Sequence, residues 1–67
     1  MAHIKLTTQN GVNYPSDLKN LTYNEAVEQL NLLDQKTGHE DFESDRQMED
    51  VLCLNYANGD FELYEIE

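Results

Sequence analysis

The run from Val51 to Glu67 constrains this chain most. Val51-Leu52-Cys53-Leu54-Asn55-Tyr56 and Phe61-Glu62-Leu63-Tyr64-Glu65-Ile66 are two strand-like runs rich in apolar and aromatic residues, with Asn58-Gly59 between them. A period of two puts successive side chains on opposite faces of a strand, and Asn-Gly favours a two-residue hairpin turn. The spacing predicts a hairpin pairing Tyr56 with Phe61, Leu54 with Leu63, Cys53 with Tyr64 and Leu52 with Glu65. In that register Leu52, Leu54, Tyr56, Phe61 and Leu63 share one face, and Val51, Cys53, Asn55, Asp60, Glu62, Tyr64 and Ile66 share the other. Such an apolar face needs a cover.

The cover is written upstream. Thr22-Tyr23-Asn24-Glu25 has the form of a capping box, with Leu21 and Ala26 placed as its hydrophobic staple. Tyr23, Ala26, Val27, Leu30 and Leu33 then recur at helical spacing and predict a helix from about Tyr23 to Gln35. Lys36 complements its dipole and Gly38 stops it, while Glu25, Glu28 and Gln29 face outward. At the N-terminus Ile4, Leu6 and Thr8 alternate with His3, Lys5 and Thr7, the pattern of a half-buried strand. Asn10-Gly11 signals a turn pairing Gln9 with Val12 and Thr7 with Tyr14, which sets Val12 and Tyr14 on the face opposite Ile4 and Leu6. Pro15 limits that return to an edge strand or an extended lead-in. The expected fold is a single α+β domain over residues 1–67. It has two layers, a sheet of three or four mostly antiparallel strands with one helix packed on one face.

Charge narrows the function classes. Fourteen Asp and Glu against four Lys and Arg give a formal charge of −10, and residues 39–67 hold ten of the acids with Arg46 as their one base. That sign opposes direct contact with nucleic acid or an anionic membrane. Residues 40–50 read as an acidic linker, with a possible helical turn beginning near Asp45. The first residues lack the continuous apolar stretch of a signal peptide, and one cysteine excludes an internal disulfide framework, so a cytoplasmic location is expected.

Catalytic and metal chemistry find little footing. His39 beside Glu40 and Asp41, with Ser44 near, is the one place where a base adjoins carboxylates, and a loop lacks the rigidity catalysis requires. Cys53 has no cationic neighbour in sequence to lower its pKa and reads as a small apolar residue. Asp60 and Glu62 belong to a strand pattern rather than to a calcium loop. No enzyme, cofactor or metal site is expected.

What the acids suit is a basic protein surface. Carboxylates at i and i+2 on one strand face stand about 6.6 Å apart, close to the step between phosphates on a nucleic-acid strand. Asp60 and Glu62 meet that spacing, and Glu40, Asp41, Glu43 and Asp45 meet it only if held extended. The predicted partner-binding set is Glu40, Asp41, Glu43, Asp45, Glu49, Asp50, Asp60 and Glu62. The expected partner is a basic, nucleic-acid-binding host protein. In its length, acidity and lack of a catalytic set, the chain resembles in kind the small inhibitors of bacteriophages and mobile elements, including DNA mimics and anti-restriction or anti-CRISPR proteins. The likeness is one of class and transfers no residue roles. The alternative is a structural or assembly module that self-associates as a homodimer through Val51, Cys53, Tyr64 and Ile66, with the charge serving solubility.

Overall fold

In the computed structural model, which describes residues 1–35 and 42–67, the described residues form one α-helix, a short 3-10 helix (Ser16–Leu18) and a five-stranded antiparallel sheet. The strands are β1 (Ile4–Thr8), β2 (Gly11–Asn13), β3 (Phe42–Met48), β4 (Val51–Tyr56) and β5 (Phe61–Ile66), in the order β2-β1-β5-β4-β3. The helix α1 (Tyr23–Asp34) lies in sequence between β2 at one edge of the sheet and β3 at the other. The fold is α+β as expected, with five strands rather than three or four.

The additional strand is β3. Residues 42–48 were expected within an acidic linker, with a helical turn near Asp45; instead they pair along β4, Phe42 opposite Tyr56 through Asp45 opposite Cys53. Between Asp45↔Cys53 and Met48↔Val51 the register slips by one, so Arg46 and Gln47 together face Leu52 in a bulge. The strand's weak apolar content hides it from a periodicity search. It is held by side chains aimed at the helix: Ser44 Oγ donates to Asp34 Oδ1 at 2.9 Å, and Arg46 Nη1 donates to Asn31 and lies 3.8 Å from Asp34. Arg46 Nη2 also donates to the Glu49 carbonyl at 2.9 Å. A cation thus reaches the last turn of α1 from across the structure, where the helix dipole favours it. The expected Lys36 and Gly38 caps lie outside the described residues.

The helix start is local and is as its sequence requires. Thr22 Oγ1 accepts from the Glu25 N–H at 3.1 Å, and Glu25 Oε1 accepts from the Thr22 N–H at 2.8 Å. Ala26 and Leu30 project into the core and are fully buried with Ile4 and Leu52, joined by Leu54 and Tyr64. Leu21 and Leu33 pack against this cluster, whereas Tyr23, the first residue of the stripe, is 46% exposed.

Both turns depart from the expected register. Thr8 pairs with Gly11, so the first turn is Gln9-Asn10 rather than Asn10-Gly11, and Val12 falls opposite Thr7. That two-residue shift keeps Val12 on the face opposite Ile4 and Leu6. The β4–β5 turn has a larger consequence. Tyr56 N–H donates to the Asp60 carbonyl at 2.8 Å and Gly59 N–H donates to the Tyr56 carbonyl at 3.0 Å, closing a three-residue loop of Ala57, Asn58 and Gly59. Gly59 has φ +95°, as the bulge glycine of such a loop requires. The pairs become Leu52↔Tyr64, Cys53↔Leu63 and Leu54↔Glu62. One extra loop residue therefore turns every β5 side chain to the other face from the one expected. Tyr64 is buried, not part of an exposed patch.

Because nothing lies within 4 Å of a Cβ built on Gly59, a side chain there meets only backbone strain. Gly59→Val is expected to cost about 1–2 kcal/mol, and Gly59→Asn less, since Asn tolerates the left-handed region. Urea midpoints for the two variants check this ordering.

Candidate functional site

The register defines two unlike sheet faces. Ile4, Leu6, Leu52, Leu54, Tyr64 and Ile66 lie on the helix side. The opposite, open face is built of cross-strand rows. Val12, Thr7, Leu63, Cys53 and Asp45 make one row, Lys5, Glu65, Val51 and Met48 the second, and Phe61, Asn55 and Glu43 the third. An apolar centre thus meets carboxylates at the β3 edge. The apolar patch expected from Val51, Cys53, Tyr64 and Ile66 keeps Val51 and Cys53 but loses Tyr64 and Ile66, which Leu63 and Phe61 replace.

The described members of the predicted acidic set are divided among the open face, two turns and the helix side of the sheet. Glu40 and Asp41 lie outside the described residues. Glu43 and Asp45 are exposed on the open face of β3, at the i, i+2 spacing that requires an extended segment. Among the described residues neither has an ion-pair partner. Glu49 and Asp50 form the β3–β4 turn, where Glu49 Oε1 accepts from the Tyr23 hydroxyl at 3.1 Å and the Asp50 carbonyl accepts from the Ile66 N–H at 3.0 Å. Asp60 sits in the other turn, its N–H bound to Asn58 Oδ1 at 3.0 Å and its Oδ2 accepting from Asn58 Nδ2 at 3.1 Å. Glu62 is half-buried on the helix side of the sheet and accepts from the Tyr56 hydroxyl. Glu62 is committed to the fold.

Burial, reinforced by the Glu62 carboxylate, pushes the Tyr64 phenol up from 10 to about 12. The folded state therefore holds this proton more tightly than the unfolded chain does. The associated stability is complete below pH 10 and is lost as the pH rises through about 12. Melting curves across that window should show the decline, with Tyr64→Phe removing the largest part of it.

A second polar cluster was not legible in the sequence. Glu67 Oε1 accepts from the Tyr14 hydroxyl at 3.1 Å and lies 3.3 Å from His3 Nε2, while Lys5 Nζ stands 3.6 Å from Glu65 and 3.7 Å from Glu67. The His3 and Tyr14 rings meet edge to face at 5.3 Å. The Tyr14 hydrogen bond, then Lys5 and His3, lowers the Glu67 carboxyl against a smaller opposing effect of burial, and Glu65 and then Glu67 raise Lys5. This network ties the segment after β2 to the end of β5 and occupies Lys5. Residues 53 positions apart meet only through the tertiary fold, so no local pattern announces them.

His39 lies outside the described residues, and Ser44 is engaged with Asp34. Cys53, opposite Leu63 and Asp45, contacts Asn55 Oδ1 at 3.8 Å. No group of three or more potential metal ligands occurs among the described residues, and no helix among them is long and apolar enough to cross a membrane. No protein-family model, curated protein or solved structure matches the chain.

Proposed function

We propose that the protein is a non-enzymatic binding protein whose acidic face docks on the basic surface of a nucleic-acid-binding protein, in the manner of an inhibitor that stands in for the nucleic acid. The observation that carries this reading is the pair Glu43 and Asp45. Both are exposed on a strand held extended by Ser44 and Arg46 beneath it, and neither is neutralised among the described residues. Arg46, the single base of the acidic second part, is turned toward the helix with its side chain 14% exposed. The carboxylates are thereby left to act outward. Long-range attraction of a basic partner is what an unscreened field of this sign does well.

In this reading Glu43 and Asp45 lead the binding set, and Glu62, which accepts from the Tyr56 hydroxyl, is left out of it. The test is capture of a basic protein from nuclease-treated lysate, followed by competition with duplex DNA. Glu43→Lys with Asp45→Lys should weaken capture about tenfold or more while leaving the melting temperature nearly unchanged, and binding should fall steeply with salt. Capture that survives both the charge reversals and high salt would refute the reading.

A further inference from the structure

We propose that Asn10 is a site of spontaneous covalent modification, converting to aspartate and isoaspartate, and that the fold withholds the same reaction from Asn58. The inference is independent of the docking reading. Asn-Gly occurs twice in the chain, at Asn10-Gly11 and Asn58-Gly59, and all four residues are exposed. Asparagine is among the chemically labile residues, and a following glycine has no side chain to obstruct attack by its own backbone nitrogen. The two dipeptides are alike in sequence and differ in what the fold does to them.

The reaction is intramolecular. The Gly11 amide nitrogen gives up its proton to solvent base and attacks Asn10 Cγ, forming a new N–C bond. The carboxamide C–N bond breaks, and its nitrogen takes up a proton and leaves as ammonia. Water then opens the resulting succinimide. Opening at the side-chain carbonyl gives aspartate, and opening at the main-chain carbonyl gives isoaspartate, with the backbone rerouted through Cβ. One water is consumed and one ammonia released, so the step balances without a further reactant.

Ring closure needs the carboxamide to swing against the next backbone nitrogen and the turn to open locally. At Asn58 both motions are opposed. Its Oδ1 accepts from the Asp60 N–H at 3.0 Å, its Nδ2 donates to Asp60 Oδ2 at 3.1 Å, and the Gly59 N–H donates to the Tyr56 carbonyl at 3.0 Å. That turn joins β4 to β5, whose Leu52, Leu54 and Tyr64 belong to the core, so fraying from it soon disturbs buried residues. At Asn10 the carboxamide has no hydrogen-bond partner among the described residues. The Asn10 N–H donates to Thr8 Oγ1 at 3.1 Å and Gln9 Oε1 accepts from the Phe61 N–H at 3.3 Å, which hold the chain around the carboxamide and leave it to turn. The strand that follows, β2, is a three-residue edge strand exposed along its length, where local opening costs least. Conversion at Asn10 adds a negative charge to a chain of formal charge −10, and isoaspartate puts one more carbon into a two-residue turn, against the Thr8↔Gly11 register. The change loosens β2 and leaves the core in place.

The test holds the full 67-residue chain folded in warm, mildly alkaline buffer and follows conversion at each asparagine by peptide mass spectrometry, with isoaspartate separated from aspartate by chromatography. The expected result is conversion of Asn10 about tenfold or more faster than Asn58, a factor that the hydrogen bonds restraining Asn58 supply. In urea concentrated enough to unfold the chain the two rates should converge. Asp60→Ala, which removes the carboxylate that holds Asn58 Nδ2, should speed Asn58 in the folded protein and leave Asn10 unchanged. No conversion at Asn10, equal rates in the folded protein, or a faster Asn58 would overturn the proposal. A preference for Asn10 that persists undiminished in urea would overturn it as well, because the flanking sequence rather than the fold would then set the rates.

Discussion

Tyr64→Glu should unfold the protein, while Leu63→Glu, one residue away, should cost only about 1 kcal/mol. Tyr64 is 7% exposed against Ile4, Ala26, Leu30, Leu52 and Leu54, and its neighbour on one side across the sheet is Leu52. Replacing it removes a buried aromatic ring, a loss of about 3–5 kcal/mol, and adds a carboxylate next to the one Glu62 already places there. A domain of this size has about 3–5 kcal/mol in total. Leu63 projects from the open face between Thr7 and Cys53, where a charged head reaches water. The two-residue turn read from Asn58-Gly59 demands the reverse, with Leu63→Glu the damaging change. Far-UV circular dichroism and urea titration of the two variants therefore test the register itself.

Leu52→Ala is expected to leave a largely unfolded chain at room temperature. Leu52 is fully buried on β4, flanked by Tyr64 on β5 and by the β3 bulge on the other side. Truncating a buried leucine costs about 2–5 kcal/mol, the spread reflecting how far the surroundings collapse into the space. Here they are constrained, because Arg46 beside it is bound to α1 and to the Glu49 carbonyl. Leu32→Ala on the helix surface serves as the control. Leu32 is 48% exposed, so its truncation should change stability by about 0.5 kcal/mol or less. Chemical denaturation of both variants against the parent checks the contrast.

These two results bear on function through the same register. With Tyr64 and Ile66 on the helix side, an interface of Val51, Cys53, Tyr64 and Ile66 no longer exists as a surface. The open face instead carries Leu63 and Phe61 beside Val51 and Cys53, and its β3 rim is acidic. A self-associating face bordered by like charges that have no ion-pair partner among the described residues is disfavoured, which supports the proposed docking on a basic partner.

The helix was legible because its information is local. Thr22, Glu25, Ala26 and Leu30 lie within two and a half turns, and each reports on the next by hydrogen bond or by spacing. The acidic imbalance was equally plain from counting. Strand β1 followed from period-two alternation, and the existence of a β4–β5 hairpin from two strand-like runs joined at Asn58-Gly59. The turn at Gly59 was visible, but its length was not. Asn-Gly serves a two-residue loop or the end of a three-residue one, and a single residue decides which side chains are buried. Strand β3 was hidden for another reason. Phe42, Glu43, Ser44, Asp45, Arg46 and Gln47 carry almost no apolar signal, and what orders them is Asn31, Asp34 and the free edge of β4, all supplied from elsewhere in the chain.

Sequence alone thus determined the helix with its cap, the antiparallel character of the sheet and the sign and location of the charge, since each depends on neighbours along the chain. Tertiary structure decided the face of every β5 residue, the extension of the acidic segment into β3 and the choice of Glu43 and Asp45, rather than Glu62, as the carboxylates turned to solvent. Those outcomes depend on which register buries Tyr64 beneath α1 and which helix residues Ser44 and Arg46 reach, energies that exist only once distant segments have met.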